Sequence, residues 1–359
     1  MYEQQILEDT LFHMVYGGVA VLNVIACFYL LFRRSNAIAP NITPPVRLRQ
    51  WTAAFFAVMA FIHVWYVPIF FLTSSEAIQL NNRIGDLLDC MTFFPLGIIV
   101  FLTMLQDRRR PLWPVIVMIA PLVVGIAWCI ASRSDDLIPV LRIYLIPLGI
   151  GFFTYMVRAL RQYGRWLRDN YADLEHKELW QSIVVLAVTL VLIGFYSSDI
   201  GSKVYYYGNQ VNNIVIVCYL LWRVETLSDL SIPESHDRST SPLGLSKNIG
   251  PLLKQYCEEP QLYLQYDISL AQLAQQIGIN RSYLSKHFAL QGITYNAYIN
   301  GLRIQHFINL YHQAVATHQP ITVQQLAHQS GFSSYSTFNS AFKQSMGMTA
   351  TAWMRASES

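Results

Sequence analysis

The stretch Leu273–Phe288 (LAQQIGINRSYLSKHF) is repeated in similar form as Leu326–Phe342 (LAHQSGFSSYSTFNSAF), and this repeat indicates the fold of the C-terminal part of the chain. The leading Leu-Ala pair and the central glycine are each offset by 53 residues, and one insertion moves the final phenylalanine to an offset of 54. Two copies of one pattern at a fixed offset indicate two copies of one supersecondary unit.

Each copy has the pattern of a helix-turn-helix. A short helix with an apolar face is expected to end at Gly278 or Gly331, because a residue without a Cβ atom enters the left-handed conformation at little steric cost. Asn280 or Ser333 is then expected to cap the amino end of the second helix by accepting a hydrogen bond from its backbone.

The second helix of each copy repeats large apolar residues four positions apart, namely Leu284 and Phe288, then Phe338 and Phe342. Residues at this spacing share one helix face and are expected to be buried. The opposite face carries short polar side chains, which suits a helix that lies in the major groove of DNA. Between the copies, Tyr298–Tyr311 (YINGLRIQHFINLY) is predicted to form an amphipathic linking helix.

Residues 248–356 resemble the DNA-binding domain of the AraC/XylS family of bacterial transcription factors, over almost a third of the chain. The Leu302-Arg303-Ile304 step of the linking helix fits the family, and the second copy carries most of its signature. The matching positions in the second copy are Ile321, Leu326, Ala327, Gly331, Phe332, Phe338, Phe342, Lys343, Gly347 and Thr349.

The resemblance implies that double-stranded DNA is the partner and that two recognition helices enter successive major grooves on one face of the duplex. The implied contact residues are Ser282, Ser285 and Lys286, with Arg281 nearby, in the first copy, and Tyr335, Ser336, Thr337 and Ser340 in the second. Serine and threonine can bond either base edge, and lysine can reach guanine or a phosphate. The chain departs from the family at Ser340, Ala350 and Phe307. A degenerate domain that binds a protein instead of DNA is therefore the alternative.

The first two thirds of the chain have a different composition. Of all 359 residues 53% are hydrophobic and only 13% are charged, whereas an average soluble domain has about 25% charged residues. Crossing the hydrocarbon core of a bilayer takes about 20 apolar residues in a helix. Seven runs are candidates: 11–32, 51–73, 84–105, 113–131, 138–160, 179–197 and 204–223. The last one is the weakest, because it contains several asparagines.

Positive charge follows the alternation of these runs, which predicts an orientation. Cytoplasmic connections carry an excess of lysine and arginine. With the N-terminus outside, the inner connections hold Arg33, Arg34, Arg47, Arg49, Arg108, Arg109, Arg110, Arg158, Arg161, Arg165, Arg168 and Lys177. The outer ones hold Arg83, Arg133 and Lys203. Seven spans then place the C-terminal part in the cytoplasm of a bacterium, with the anchor in its inner membrane.

Polar residues in the outer half of the predicted bundle suggest a second site. His63, Asp89, Arg142 and Asn213 are candidates for an outward-opening pocket that binds an unknown small ligand. Ionisable residues inside a membrane are costly and usually face the interior of the bundle. The alternative is an aromatic belt with a structural ion pair between Asp89 and Arg142.

The sequence predicts neither an enzyme nor a cofactor. We find no recognisable catalytic motif and no histidine or cysteine spacing that is typical of a metal site. A transporter or membrane enzyme fused to a regulator is a further alternative that no motif supports.

Three segments are thus expected in an all-α chain. Residues 1–227 are predicted to be a seven-helix membrane domain that senses or tethers. Residues 228–247, which are polar and rich in serine and proline, are predicted to be a flexible linker, and residues 248–359 the DNA-binding domain. Pairing of two chains through the bundle would raise the effective concentration of a second DNA-binding domain, so a homodimer is a further hypothesis.

Overall fold

The structure is a computed structural model, and it describes residues 10–33, 36–40, 42–108, 110–197, 203–230, 249–318 and 322–358. These residues form an all-helical protein with no strand among them, as the sequence predicts. Predictions for the other residues, which include 231–247 of the predicted linker, lie outside the described part of the chain.

Eight α-helices lie in the described N-terminal part of the chain. They are α1 (Thr10–Phe32), α2 (Val46–Trp65), α3 (Ser75–Leu88), α4 (Phe94–Met104), α5 (Trp113–Ser132), α6 (Ile138–Asn170), α7 (Gln181–Ser197) and α8 (Lys203–Thr226). A 3-10 turn at Val67–Phe70 extends α2, and a π-helical turn at Asp89–Phe93 joins α3 to α4. The predicted third span therefore begins within a longer helical segment and contains a local change of helix geometry.

Five helical segments among the described residues are long and apolar enough to cross a membrane. They are Thr10–Phe32, Val46–Ile69, Ser75–Met104, Trp113–Ser132 and Ile138–Asn170. Helix α7 has 17 described residues, and α8 contains Gln210, Asn212 and Asn213. The predicted count of seven spans is therefore not established and stays a prediction.

The apolar helices leave much of their surface uncovered. In α5, Leu122 and Ile126 belong to a buried cluster against which Leu141 and Leu145 of α6 pack. Other faces of the same helices are exposed, as at Trp128, which is 64% exposed. Large contiguous apolar surfaces are rare on soluble proteins. The five segments are thus typical of helices that face lipid.

Seven helices form the described C-terminal part. They are α9 (Ile249–Leu253), α10 (Leu270–Ile277), α11 (Arg281–Leu290), α12 (Tyr295–Ala316), α13 (Val323–Gln329), α14 (Tyr335–Met346) and α15 (Ala350–Glu358). Helices α10 and α13 begin at reciprocal capping boxes. In the first, Ser269 Oγ accepts from the backbone N–H of Gln272 at 3.2 Å while the Gln272 side chain accepts from the Ser269 N–H at 2.8 Å.

Helix α12 supplies side chains to two separate cores. Tyr295 and Ile299 pack with α10 and α11 in the first. Ile304 and Phe307 pack with α13 and α14 in the second. One continuous helix therefore holds the two helix-turn-helix units at a fixed separation.

The described chain divides into two compact units, and the division differs from the sequence-based one in two respects. Ser228–Leu230, which were predicted to begin the flexible linker, belong to the first unit, where Leu230 is buried. The described residues up to Tyr163 form the first unit together with residues 179–230. Gly164–Glu178, which the sequence analysis places inside the membrane domain, pack instead with the described residues from Ile249 onward. The physical reason is the burial of Ala172 in the first helix-turn-helix core.

Candidate nucleic-acid interface

The first helix-turn-helix forms as the sequence predicts. Gly278 ends α10 in the left-handed conformation, with φ of 78°. The Asn280 side chain then caps α11 by accepting from the backbone N–H of Ser282 at 2.7 Å. Leu284 and Phe288 are buried, so the polar face of α11 points away from the core.

The second helix-turn-helix has a tighter turn. Gly331 has φ of 86°, and a Cβ atom there would lie 2.8 Å from the backbone Cα of Leu264. This position therefore needs glycine for two reasons, the backbone conformation and the close approach. Phe338 and Phe342 are fully buried beneath α14.

The predicted cap of the second recognition helix was wrong by one residue. Ser334, not Ser333, caps α14, and its Oγ accepts from the backbone N–H of Thr337 at 3.3 Å. Because the repeat gains one residue here, the helix begins at Tyr335 and the cap moves with it. The Ser333 hydroxyl instead donates hydrogen bonds to the carboxylates of Asp173 and Glu175.

The linking helix is longer than predicted and contains a buried cation. Helix α12 extends beyond both ends of the predicted Tyr298–Tyr311, because the Thr294 side chain caps its start and Ala314 continues its buried face. Arg303 is 1% exposed and donates to the carbonyls of Tyr263 (2.8 Å), Gln265 (2.7 Å) and Tyr266 (3.2 Å). Burial lowers the pKa of this guanidinium to about 10, so it stays charged at neutral pH.

All eight residues that the resemblance implies for DNA contact lie on the two recognition helices. The exposed ones are Ser282 and Lys286 on α11 and Tyr335, Ser336 and Ser340 on α14. The half-buried ones are Arg281, Ser285 and Thr337. Their contact with DNA stays a prediction.

Two of these residues bond to the last residue of α6 or to the connection that follows this helix. Arg281 donates from Nε to Asn170 Oδ1 at 3.0 Å, and Thr337 Oγ1 donates to Glu175 Oε2 at 3.4 Å. Sequence reasoning missed both partners, and it also missed the role of Ser333. The only local signal is the mixed charge of Tyr171–Glu178 (YADLEHKE), which resembles an ordinary solvated connection.

The four residues of the predicted membrane pocket are only partly brought together. His63 is buried in α2, with Nδ1 2.7 Å from Met59 O and Nε2 3.2 Å from Gln210 Oε1 of α8. Asn213, one turn further along α8, is also buried. Asp89 opens the π-helical turn and Arg142 lies near the start of α6. The pocket and the Asp89–Arg142 pair stay predictions.

The C-terminal helices are similar to a known family of domains. Residues 273–356 match the model of a protein family described as a helix-turn-helix domain. The chain therefore carries a helix-turn-helix domain in its C-terminal part.

Curated relatives cover the same region. An uncharacterized HTH-type transcriptional regulator of Staphylococcus aureus (strain MRSA252) is 30% identical over 113 residues, which are 31% of this chain and 14% of that protein. A regulator of the same description from strain COL is 29% identical over 113 residues, again 14% of its length. The chain thus spans a small fraction of the relatives it matches. No solved structure is significantly similar to it.

Proposed function

We propose that this chain is a membrane-bound regulator of transcription that binds specific DNA through its two helix-turn-helix units. One observation carries the proposal: two capped recognition helices, α11 and α14, are held on the shared helix α12 with polar side chains exposed. The family match and the description of the relatives as transcriptional regulators support DNA as the partner.

The membrane part of the proposal rests on the five apolar segments and on a topological argument. Gly164–Glu178, which are the end of α6 and the connection after it, pack in one unit with the C-terminal helices, so we infer that both lie on one side of the bilayer. An even number of crossings must therefore lie between them, which favours spans at both α7 and α8. The arginine-rich connections favour the cytoplasm as that side.

In this mechanism α11 and α14 each enter a major groove of the duplex. Helix α12 sets their spacing, and backbone and hydroxyl donors at the helix starts bind phosphates and fix the register. Polar side chains such as Lys286 and Ser340 then read base edges. The bundle tethers the domain, and ligand binding in its outer half remains part of the proposal.

A selection from fragmented genomic DNA tests the proposal, with the full chain in lipid nanodiscs at low and moderate salt. We expect enrichment of a motif with two half-sites about one helical turn, near 10 base pairs, apart. Ser340→Glu places a negative charge on the recognition face of α14 and should abolish enrichment. Ser345→Glu makes the same change at an exposed position elsewhere on that helix and should preserve it.

Two results would overturn the proposal. A motif that is enriched equally by both variants would exclude reading by α14. No enrichment under any condition, including with the released variants described below, would favour the alternative that the C-terminal domain binds a protein.

A further inference from the structure

The connection after α6 is anchored in the C-terminal unit by its backbone. The Ala172 N–H donates to the carbonyl of Ile268 at 3.2 Å, and Tyr171 forms an isolated antiparallel bridge with Ser269. Asn296, at the start of α12, donates from Nδ2 to the carbonyls of Ala172 at 2.6 Å and Tyr171 at 3.3 Å. The methyl group of Ala172 is fully buried in the first helix-turn-helix core, so this contact is part of the folded unit.

Side chains at both ends of this connection bond to the first helix-turn-helix unit. We call residues Asn170–Lys177 the docking segment. At its start, Asn170 Oδ1 accepts from Nε and Nη2 of Arg281, the first residue of α11. At its end, Lys177 Nζ lies 2.9 Å from Asp267 Oδ1, and the Lys177 side chain is only 4% exposed.

The middle of the docking segment reaches the second helix-turn-helix unit with two carboxylates. Ser333 Oγ donates to Asp173 Oδ2 and, at 3.2 Å, to Glu175 Oε2. Thr337 Oγ1 donates to the same Glu175 oxygen at 3.4 Å. Asp173 is itself buried, and its charge acts on the buried guanidinium of Arg303. The segment therefore binds both helix-turn-helix units at once.

These contacts use the same kinds of hydrogen-bond donors that bind the phosphates of DNA. Phosphate oxygens accept hydrogen bonds from arginine, from serine and threonine hydroxyls, and from the starts of helices. In the docking segment, amide and carboxylate oxygens accept from Arg281, Ser333 and Thr337 at the starts of α11 and α14. One set of donors cannot serve two anionic partners at the same time.

We propose that the docking segment occupies the DNA-binding face in place of DNA, so that DNA binds only when the segment leaves. This inference rests on the proposed function. The apparent affinity for DNA is then the intrinsic affinity reduced by the fraction of molecules in which the segment is released.

Helix α6 leads directly into the docking segment. It has 33 residues, so it is about 50 Å long, whereas the hydrocarbon core of a bilayer is about 30 Å thick. Asn170 is both the last residue of α6 and the first of the docking segment. A signal that shifts or rotates α6 thus acts on the DNA-binding face directly, without passing through the 228–247 linker.

The experiment measures the DNA affinity of the full chain in nanodiscs, with the selected sequence as probe. The double variant Asp173→Asn/Glu175→Gln weakens the charge-assisted bonds to Ser333 and Thr337, and we expect at least tenfold tighter binding. Asn296→Ala removes the hydrogen bonds to the backbone of the segment without changing any charge, and we expect several-fold tighter binding. Asp169→Asn removes a charge from an exposed residue just before the segment and should change affinity less than twofold.

The outcomes separate the two proposals. Equal affinity of the wild type, the double variant and Asn296→Ala would contradict the docking inference and leave the proposed function intact. Tighter binding by the double variant and by Asp169→Asn, but not by Asn296→Ala, would attribute the gain to charge alone and would also contradict docking. If no variant binds any DNA, the proposed function itself fails.

Discussion

At the residue scale, the turn of the second helix-turn-helix depends on one glycine. Gly331 and Gly278 hold equivalent positions and both have positive φ, but their surroundings differ. Only Gly331 is closely approached by backbone, that of Leu264, whereas the space around Gly278 is open. The left-handed conformation costs a residue with a Cβ atom about 1–2 kcal/mol, and a backbone clash adds to it.

We therefore predict that Gly331→Ala destabilises the C-terminal unit by about 2–5 kcal/mol, since overpacking of this kind adds about 1–3 kcal/mol to the conformational cost of about 1–2 kcal/mol. Gly278→Ala is the matched control and should cost only about 1–2 kcal/mol. Proteolysis of the C-terminal unit during thermal unfolding of the full chain in nanodiscs would measure both. Equal loss of stability in the two variants would contradict the role of the Leu264 contact.

The same scale explains one departure from the AraC/XylS pattern. Phe307 stands where the family usually has a small residue, and its ring is fully buried. The centroid of this ring lies 4.6 Å from that of the Phe338 ring and 5.6 Å from that of the Phe342 ring. The larger side chain fills the second core, so this departure does not remove the helix-turn-helix.

Lys286 offers a second prediction at this scale. It is exposed on α11, and Lys286→Ala should weaken DNA binding about tenfold and reduce the salt dependence of the affinity by about one ion. Lys254→Ala is the control, because Lys254 is an equally charged exposed residue outside both recognition helices. Titration of the selected sequence at several salt concentrations would measure both. If Lys286→Ala weakens DNA binding no more than Lys254→Ala does, the result would contradict the binding of α11 in the major groove.

At the element scale, the helices of the repeat are predictable from sequence and the docking segment is not. Local signals determine the former: apolar residues four apart, a glycine at each turn and a polar cap. Even the error at Ser333 is local, because the single inserted residue moves the start of α14 by one position.

The docking segment depends on contacts across 90 to 162 positions of the chain. Its alternating charges (Asp173, Glu175, Lys177) have no periodicity that distinguishes a bound connection from a solvated one. In the sequence, the basic residues of this region indicate only the orientation of the spans. The pairing of Ala172 with Ile268 is a tertiary contact that no local pattern encodes.

This element gives a prediction that does not depend on a mutation. If DNA displaces the docking segment, the amide of Ala172 loses its bond to Ile268 O and should exchange its hydrogen faster when DNA is bound. Hydrogen exchange of the full chain in nanodiscs, with and without the selected DNA, would measure it. An unchanged or slower rate at residues 171–177 would mean that the segment stays in place on the complex.

At the scale of the whole molecule, one chain contains an apolar helical unit and a helix-turn-helix unit. The predicted all-α fold is confirmed, whereas the number of spans and the oligomeric state stay predictions. Two tethered domains in a dimer would bind adjacent sites more tightly than one, because the second binding event becomes intramolecular.

We predict that a homodimer forms through the bundle. Crosslinking of the full chain in membranes at low surface density should give a dimer band with and without DNA. A monomer band alone under both conditions would remove the dimer from the account.

A hydroxyl-radical footprint of the full chain in nanodiscs on its selected DNA sequence tests most directly whether both helix-turn-helix units bind the duplex. We expect two protected patches on one face of the duplex, about 10 base pairs apart for each bound chain, since α11 and α14 are proposed to enter successive major grooves. The double variant Asp173→Asn/Glu175→Gln should give the same patches at lower protein concentration. A single patch for each chain, or protection without any sequence preference, would contradict reading by two helix-turn-helix units.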